Sequence, residues 1–539
     1  MTGSITLENI FGVNKMELIS LKYAIFVIVL LVLYYCFPKK YRWYVLLAGS
    51  MAYYVIICKW YVLFIIFTIC TTYGSTIWID KLLKEQNAIV KSHKEDWDRQ
   101  TRKEYKEKGR KKRVAVMLFA LLCNFGILAF LKYIPYAGEL GLLLPLGISF
   151  YTFQSMGYVM DVYREIVEPE KNFFKVALFV SFFPQIIQGP IAIYDKFAGQ
   201  LYEGHSLRLE NLQKGALLVL WGVMKKLVIA DRAVNIINFV MDKPMDFSGT
   251  YVFFAAVVYA LQLYADFSGG IDIVRGIAEM FGITMSTNFN HPYFSRSLTE
   301  YWHRWHMTLG DWCRNYIFYP LSISKRFLNF GKWLKPRFGA HISKVLPGCI
   351  ASVITFIVIG VWHGANMKYL YFGLWNGIVI MLAELFAPVN KKVAGGFFKL
   401  TGLREKGIFA TIISVLWTFM LILVGYYFDI AANASTAFHM LFKSVTDFHI
   451  SELGINNIIL NLGACGLDEY DILLLIICTL LWFFISFVEE NKKLDMRDFI
   501  LSRKLPLRWA IIYLGIFIVI IFGYYGPGVN PADFVYMQF

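Results

Sequence analysis

Residues 470–488 read YDILLLIICTLLWFFISFV, and this stretch decides the class of fold. It holds nineteen residues, of which only Asp471 is charged. An α-helix needs about 20 predominantly apolar residues to cross the hydrocarbon core of a membrane. The stretch therefore predicts a transmembrane helix.

Comparable apolar stretches recur along the whole chain. Its 539 residues are 58% hydrophobic and only 17% charged, with a mean hydropathy of +0.53. A soluble domain is about half apolar and one quarter charged, so this composition excludes a soluble or disordered chain. We predict an all-α polytopic membrane protein with roughly eleven to thirteen transmembrane helices. The candidate spans are 22–37, 42–58, 60–79, 114–131, 140–160, 173–194, 213–230, 250–268, 347–363, 369–388, 408–428, 470–488 and 509–526.

The distribution of charge predicts the sidedness of the connecting segments. Basic residues accumulate in cytoplasmic loops of membrane proteins. Segments 81–113, 325–344 and 389–407 are strongly basic, whereas 429–469 carries five acidic residues against one lysine. We therefore expect the first three to be cytoplasmic and the last to be external, with both termini outside. The net charge of +15 then reflects contact with the lipid bilayer, and no nucleic-acid partner is expected.

Several classes of site find no support in the sequence. The eight cysteines form no CxxC pair, so neither a disulfide framework nor a zinc site is indicated. His303 and His306 are three residues apart, but no third metal ligand is evident, and no metal is predicted. The absence of a Gly-rich phosphate loop and of internal repeats disfavours a nucleotide-driven pump and an inverted-repeat transporter.

The densest polar cluster begins inside the apolar stretch 250–268. Between Gln262 and Asp272 it includes Asp266 and Ser268, followed by the pair Gly269-Gly270. Polar groups at membrane depth are costly and often functional. We expect the glycine pair to break the helix beside a cavity, with Asp266 and Ser268 either binding substrate or capping the helix end.

A second cluster interleaves aromatic, amide and cationic side chains. Its candidate binding residues are Asn288, Asn290, Trp302, Arg304 and Trp305. The arginine suits an anionic ligand or headgroup. The tryptophans equally suit an interfacial aromatic belt, and both interpretations stay open at this stage.

Two histidines are the candidate catalytic residues, His363 and His306. His363 lies in the motif Trp362-His363-Gly364, with Asn366 just beyond it. At about 1.5 Å of rise per residue from the basic segment, His363 would lie in the outer half of the membrane. Imidazole accepts a proton near neutral pH, so this residue is a candidate general base as well as a candidate structural histidine.

Several ordered motifs resemble the membrane-bound O-acyltransferase family, in particular its bacterial branch that acts in alginate O-acetylation. The blocks are Leu144–Gln154, Phe182-Phe183-Pro184-Gln185 with Gln188-Gly189-Pro190, Asp266-Phe267-Ser268-Gly269, Asn288-Phe289-Asn290 with Pro292-Tyr293, Glu300–His306, Trp362-His363-Gly364 and the tail from Tyr525 to Phe539. The resemblance implies that His363 is catalytic and that His306 supports it. It also implies a tunnel lined by re-entrant or broken segments, with Asp266, Ser268, Asn288, Asn290, Trp302, Arg304, Trp305, Trp362 and Asn366 as substrate-binding candidates.

The function expected from this resemblance is O-acetylation of an exported or cell-envelope polysaccharide. The donor would be cytoplasmic acetyl-CoA or another acyl thioester, with no bound cofactor. The acceptor would be reached through a separate secreted or membrane-anchored acetyltransferase partner. Alternatives are D-alanyl transfer to teichoic acid from a carrier-protein thioester, and a transporter or flippase without covalent chemistry.

The expected layout is one integral-membrane domain over residues 1–539 in a bacterial plasma membrane. It has a basic cytoplasmic loop at 81–113, a core at 144–377 that bears the motifs, and C-terminal helices at 378–539.

Overall fold

A computed structural model describes residues 16–134, 144–401, 404, 407–454, 457, 463–525 and 534. Within these ranges the regular structure is helical and no strand is present. The chain forms two compact units, one made of Met1–Val219 with Ile273–Ser286 and the other of Leu220–Asp272 with Thr287–Phe539. The prediction of an all-α polytopic protein is confirmed.

The first unit is built on long apolar helices. Helices α3 (Val62–Ser92) and α4 (Arg99–Tyr133) have 31 and 35 residues and are joined by a short turn. At 1.5 Å per residue they are about 46 and 52 Å long, which exceeds a hydrocarbon core of about 30 Å. The helices that begin in this unit are α1 (Leu21–Cys36), α2 (Arg42–Cys58), α3 (Val62–Ser92), α4 (Arg99–Tyr133), α5 (Ile148–Tyr163), α6 (Phe173–Ser181), α7 (Phe183–Gln188), α8 (Tyr194–Tyr202) and α9 (Leu209–Met224).

The second unit carries both candidate catalytic histidines. A π-helix, Lys225–Ala230, follows α9 and leads into this unit. The helices of the second unit are α10 (Asp231–Met241), α11 (Gly249–Met280, which ends in the first unit), α12 (Leu298–Arg304), α13 (Met307–Cys313), α14 (Tyr319–Ser322), α15 (Lys325–His363), α16 (Met367–Leu385), α17 (Ala387–Thr401), α18 (Ile408–Ile430), α19 (Ala434–Thr446), α20 (Glu469–Lys492), α21 (Met496–Leu501) and α22 (Leu505–Phe522).

Among the residues that the structure describes, fewer helices than the predicted number of spans are long and apolar enough by themselves to cross a membrane. The described residues contain seven such helices, or eight if the bent pair α16 and α17 counts as one span. The expected eleven to thirteen spans also include apolar stretches that form shorter helices. Two of the expected spans, 42–58 and 60–79, fall within the single long candidate Lys39–Ser92. The segment 173–194 is divided at Phe182, and 213–230 passes into the π-helix. The predicted span 140–160 begins with residues that lie outside the described ranges. Most of the C-terminal tail, 525–539, lies outside them as well.

The basic segment 81–113 is largely helical rather than a loop. Residues 81–92 complete α3, residues 99–113 open α4, and only the turn between them is irregular. Asp98 caps α4, because its side chain accepts a hydrogen bond from the backbone N–H of Thr101 at 2.8 Å. Two charged helical extensions therefore pack side by side beyond the apolar parts of α3 and α4.

Helix α11 is continuous through Gly269-Gly270, so the expected break at this glycine pair is wrong. A Cβ at Gly269 would come within 2.8 Å of the carbonyl oxygen of Gly222. Small residues in membrane helices allow backbones to approach closely. The glycine therefore serves close packing against the end of α9.

Helix α15 brings His363 to its last position. The backbone bends at Gly339, where φ is +80°, and the part after this bend packs along α16. The contact is close at Gly360, where a Cβ would overlap the carbonyl oxygen of Tyr369, and at Gly373, where it would overlap that of Phe356. These two glycines set the distance between the helix that ends in His363 and its neighbour.

Gly360→Ala is expected to destabilise the protein by about 1–3 kcal/mol, the usual cost of forcing a methyl group into a closely packed contact. The matched control is Gly348→Ala on the same helix, where a Cβ meets nothing within 4 Å. It should be neutral or slightly stabilising, since alanine favours helix over glycine. Thermal unfolding of detergent-purified protein measures both. Equal midpoints for the two variants would contradict this account of the packing.

Candidate functional site

His306 occupies a constrained position between α12 and α13. Its backbone is left-handed, with φ of +43°, and it precedes the first residue of α13. The side chain is only 2% exposed, and its Nδ1 lies 3.2 Å from Oδ1 of Asn288. An imidazole held in an unusual backbone conformation and in a buried pocket is typical of functional sites.

Asn288 fixes the orientation of this imidazole. Its Oδ1 also accepts hydrogen bonds from the backbone N–H and the hydroxyl of Thr308, at 3.1 and 2.9 Å. The backbone reinforces the arrangement, because Met307 N–H donates to the Asn288 carbonyl at 2.9 Å. An amide oxygen only accepts, so this network assigns the proton of neutral His306 to Nδ1 and the lone pair to Nε2.

His363 is held by aromatic rings. It is 7% exposed, and its ring centroid lies 5.4 Å from that of Phe372 and 6.0 Å from that of Tyr369. A side chain at the next residue, Gly364, would collide with the Tyr369 ring. The glycine of the Trp-His-Gly motif therefore makes room for the ring that packs on the histidine.

The indole of Trp362 contacts both histidines. Its centroid lies 5.0 Å from the ring of His363 and 6.3 Å from the ring of His306. On its other side, His306 packs edge-on against Phe267 of α11 at 4.8 Å. Two imidazoles from separate chain segments are thus brought together around one buried indole.

Asp266 and Ser268 belong to a buried ion-pair network. Lys226 Nζ lies 2.7 Å from Asp266 and 2.8 Å from Asp231, while Lys225 Nζ donates to the Ser268 hydroxyl at 2.8 Å. These interactions attach α11 to the π-helix on both sides of Phe267. These interactions hold the ring of Phe267, which packs on His306. Asp266 and Ser268 therefore position this ring, in addition to the substrate-binding role expected from the motif.

Trp302 and Arg304 are both engaged within the protein. The Trp302 indole donates to Oδ1 of Asn376 at 3.0 Å. The guanidinium of Arg304 pairs with Glu300 at 2.7 Å and with Glu490 at 3.0 Å. The positive charge that suggested an anionic ligand is therefore shared between two carboxylates.

The other candidate residues divide between core and surface. Trp305 is 3% exposed and stacks on Tyr301 at 5.7 Å. Asn290 is exposed and joins the fold through its backbone, whose N–H donates to the carbonyl of Arg304 at 3.0 Å. Asn366 is exposed as well and caps α16. The structure thus groups Asn288 and Trp362 with the two histidines, and leaves Asn290 and Asn366 at the surface.

Sequence reasoning missed the partners of these residues. Thr308 and Asn376 carry no motif signal, because their importance comes from contacts across the fold. Lys225 and Lys226 did carry a signal, since two adjacent charges inside an apolar stretch require buried partners. Within the described ranges, no three His, Cys, Asp or Glu side chains come close enough to hold a metal ion.

Asn288→Ala is expected to destabilise the protein by about 1–3 kcal/mol, because it leaves the buried Thr308 N–H without its acceptor. The neighbouring motif residue provides the matched control. Asn290→Ala removes an exposed amide and should change stability by less than about 0.5 kcal/mol. The midpoints of thermal unfolding compare the two variants. A larger loss of stability for Asn290→Ala would contradict the role assigned to the hydrogen bonds of Asn288.

The sequence of this region matches a known family. Residues 169–335, which include Asn288 and His306, match the family model described as MBOAT, membrane-bound O-acyltransferase family. This stretch is an MBOAT domain. The prediction of this family is confirmed, and the MBOAT family is one of polytopic membrane proteins, in agreement with the fold.

Curated relatives extend the similarity beyond the MBOAT domain. A probable alginate O-acetylase from Pseudomonas syringae pv. tomato is 30% identical, over 58% of this chain and 54% of its own. A peptidoglycan O-acetyltransferase from Helicobacter pylori is 29% identical, over 51% of this chain and 56% of its own. A teichoic acid D-alanyltransferase from Bacillus subtilis is 26% identical, over 52% of this chain and 67% of its own. The matches to the two acetyltransferases span little more than half of those proteins.

Proposed function

We propose that this protein is a membrane O-acyltransferase that transfers acetyl groups from an acyl thioester to a hydroxyl. The observation that carries the proposal is the pair of buried imidazoles, His306 and His363, around the indole of Trp362. The names of the relatives, two O-acetyltransferases and one alanyltransferase, support the reaction class. The proposed donor is acetyl-CoA at the cytoplasmic face.

In the proposed reaction His363 acts as general base. The imidazole accepts the proton of the acceptor hydroxyl while the oxygen attacks the thioester carbonyl. The tetrahedral intermediate then collapses, the C–S bond breaks, and the proton passes from the imidazole to the leaving thiolate. Aromatic rings around His363 keep it buried, and a proton acceptor in such surroundings favours proton transfer to and from the substrate over exchange with water.

His306 is proposed to support this reaction through its fixed tautomer. Asn288 holds Nδ1–H, so the Nε2 lone pair is oriented by the fold rather than by substrate. A lone pair held in a fixed direction can accept a hydrogen bond and so orient a substrate hydroxyl without reorganising during the reaction. Asn288 and Trp362 are the substrate-binding candidates nearest to this arrangement, and Asp266, Ser268 and Trp305 act by holding its walls.

The proposed acceptor is an exported or cell-envelope polysaccharide, and the proposed location is a bacterial plasma membrane. Alginate and peptidoglycan are the glycans in the names of the relatives. We propose that a separate secreted or membrane-anchored acetyltransferase receives the acetyl group from this protein and delivers it to the glycan. The charge-derived sidedness supports this order, since the basic segments would face the donor.

A second candidate is D-alanyl transfer from a carrier-protein thioester. It is favoured by the relative from Bacillus subtilis named as a teichoic acid D-alanyltransferase, of which this chain covers 67%. The base chemistry would be the same, and only the donor and the acceptor would differ.

The deciding experiment presents both donors to purified protein in nanodiscs. Radiolabelled acetyl-CoA and a D-alanyl carrier-protein thioester are supplied separately, each with a soluble hydroxyl acceptor, and thioester consumption is followed. Consumption of acetyl-CoA supports the first proposal, and consumption of the carrier thioester alone supports the second. If the protein consumed neither donor but transported an unmodified lipid-linked glycan across the membrane of proteoliposomes, the transporter or flippase alternative would be supported and acyl transfer overturned.

A further inference from the structure

A cavity of about 370 Å³ lies between the charged extensions of α3 and α4. We name it the α3–α4 pocket. It is entirely within the first unit and far along the chain from the histidine site. Its charged lining consists of Lys103, Lys106, Arg110, Arg113, Glu107 and Glu165.

The charges around the pocket do not balance. Arg110 pairs with Glu107 at 3.7 Å, and Arg113 pairs with Glu165 at 2.7 Å. The ammonium groups of Lys103 and Lys106 form no ion pair with any residue that the structure describes. Both face the same cavity, so two positive charges meet there without a carboxylate of their own.

Two of the residues that line the pocket, Arg113 and Gln86, are buried in the protein. Arg113 is 7% exposed and Gln86 is 6% exposed. Gln86 packs on Gly109, where a Cβ would overlap its side chain, and donates to the carbonyl of Lys106 at 3.4 Å. Nε of Arg113 is buried, and within the described ranges it has no hydrogen-bond acceptor. The guanidinium of Arg113 and the ammonium groups of Lys103 and Lys106 line the same pocket. This set of N–H donors suits an anionic oxygen.

We propose that the α3–α4 pocket binds a phosphate-bearing anion. Guanidinium groups bind phosphate through directed N–H donors, and lysines add compact positive charge. The cavity volume falls at the lower end of small-molecule sites, which suits a nucleotide or a phosphorylated headgroup. Arg113 directly precedes the apolar stretch at 114–131, so the pocket lies where a soluble phosphate or a lipid phosphate could both reach it.

The test measures binding, so it is independent of the proposed acyl transfer. Isothermal titration of the full-length protein with ADP and with pyrophosphate examines soluble phosphates. Native mass spectrometry of protein from nanodiscs of phosphatidylglycerol mixed with phosphatidylcholine examines lipid retention. The variant Lys103→Gln/Lys106→Gln removes the two unbalanced charges from exposed positions and leaves the ion pair of Arg113 with Glu165 intact. The control, Lys91→Gln/Lys94→Gln, removes two exposed lysines of the same hairpin outside the pocket.

We expect the pocket variant to weaken binding about tenfold and the control to leave it unchanged. Saturable binding of ADP or pyrophosphate to the wild type identifies a soluble ligand. If the wild type binds neither, and the pocket variant retains less phosphatidylglycerol than the wild type, the ligand is a lipid headgroup. The proposal is overturned if neither class binds, or if the pocket variant and the control lose the same affinity.

Discussion

Replacing His363 by alanine is expected to abolish measurable acyl transfer while the protein remains folded. General-base catalysis typically contributes about 10²–10⁴-fold to a rate, and alanine removes the whole contribution. The physical reason is that an unactivated hydroxyl is a poor nucleophile towards a thioester, and the surrounding rings of Phe372 and Tyr369 offer no substitute base. Initial rates of thioester consumption in nanodiscs measure the effect.

The control for this prediction is His439→Ala. His439 is exposed on α19, so the substitution removes an imidazole outside the site. Both variants are compared with the wild type by size-exclusion profile before rates are measured. Wild-type activity in a folded His363→Ala variant would overturn the proposed mechanism.

Replacing Lys226 by methionine is expected to destabilise the protein by about 3–5 kcal/mol, the usual cost of removing one partner from a buried charge cluster. The side chains of Lys226, Asp266 and Asp231 are 3%, 0% and 1% exposed. Methionine fills a similar volume but removes the cation that both carboxylates share. The midpoint of thermal unfolding in detergent measures the loss.

Two comparisons give this prediction its control. Lys94→Met removes an exposed lysine of the first unit. It should change the free energy of unfolding by less than about 0.5 kcal/mol. Lys226→Arg keeps the charge and should recover part of the loss. If Lys226→Met unfolded at the wild-type midpoint, the network would not hold α11 in place.

This network links stability to the proposed function. Asp266 and Ser268 flank Phe267, whose ring packs against His306. Loss of the lysine would therefore loosen a wall of the histidine site as well as the fold. For this reason Lys226→Met is expected to lower acyl transfer in parallel with stability, whereas His363→Ala lowers acyl transfer alone.

The sequence by itself determined the class of fold and singled out the two candidate catalytic histidines. Apolar stretches of membrane length follow from composition along a single segment, so α15, α18 and α20 were predictable from their residues. A histidine such as His363 at the end of an apolar helix is conspicuous because polar side chains are rare there. The MBOAT motifs were recognisable because each is a short contiguous block of sequence.

Only the tertiary structure decided how those residues are used. Arg304 had the charge of a ligand-binding residue, yet Glu490, far along the chain, pairs with it. Asn288 and Asn290 looked alike in the sequence, but one clamps His306 and Thr308 while the other is exposed. Such roles depend on which distant segment lies opposite a side chain. Local composition and periodicity do not encode that pairing, because it arises from the packing of whole helices.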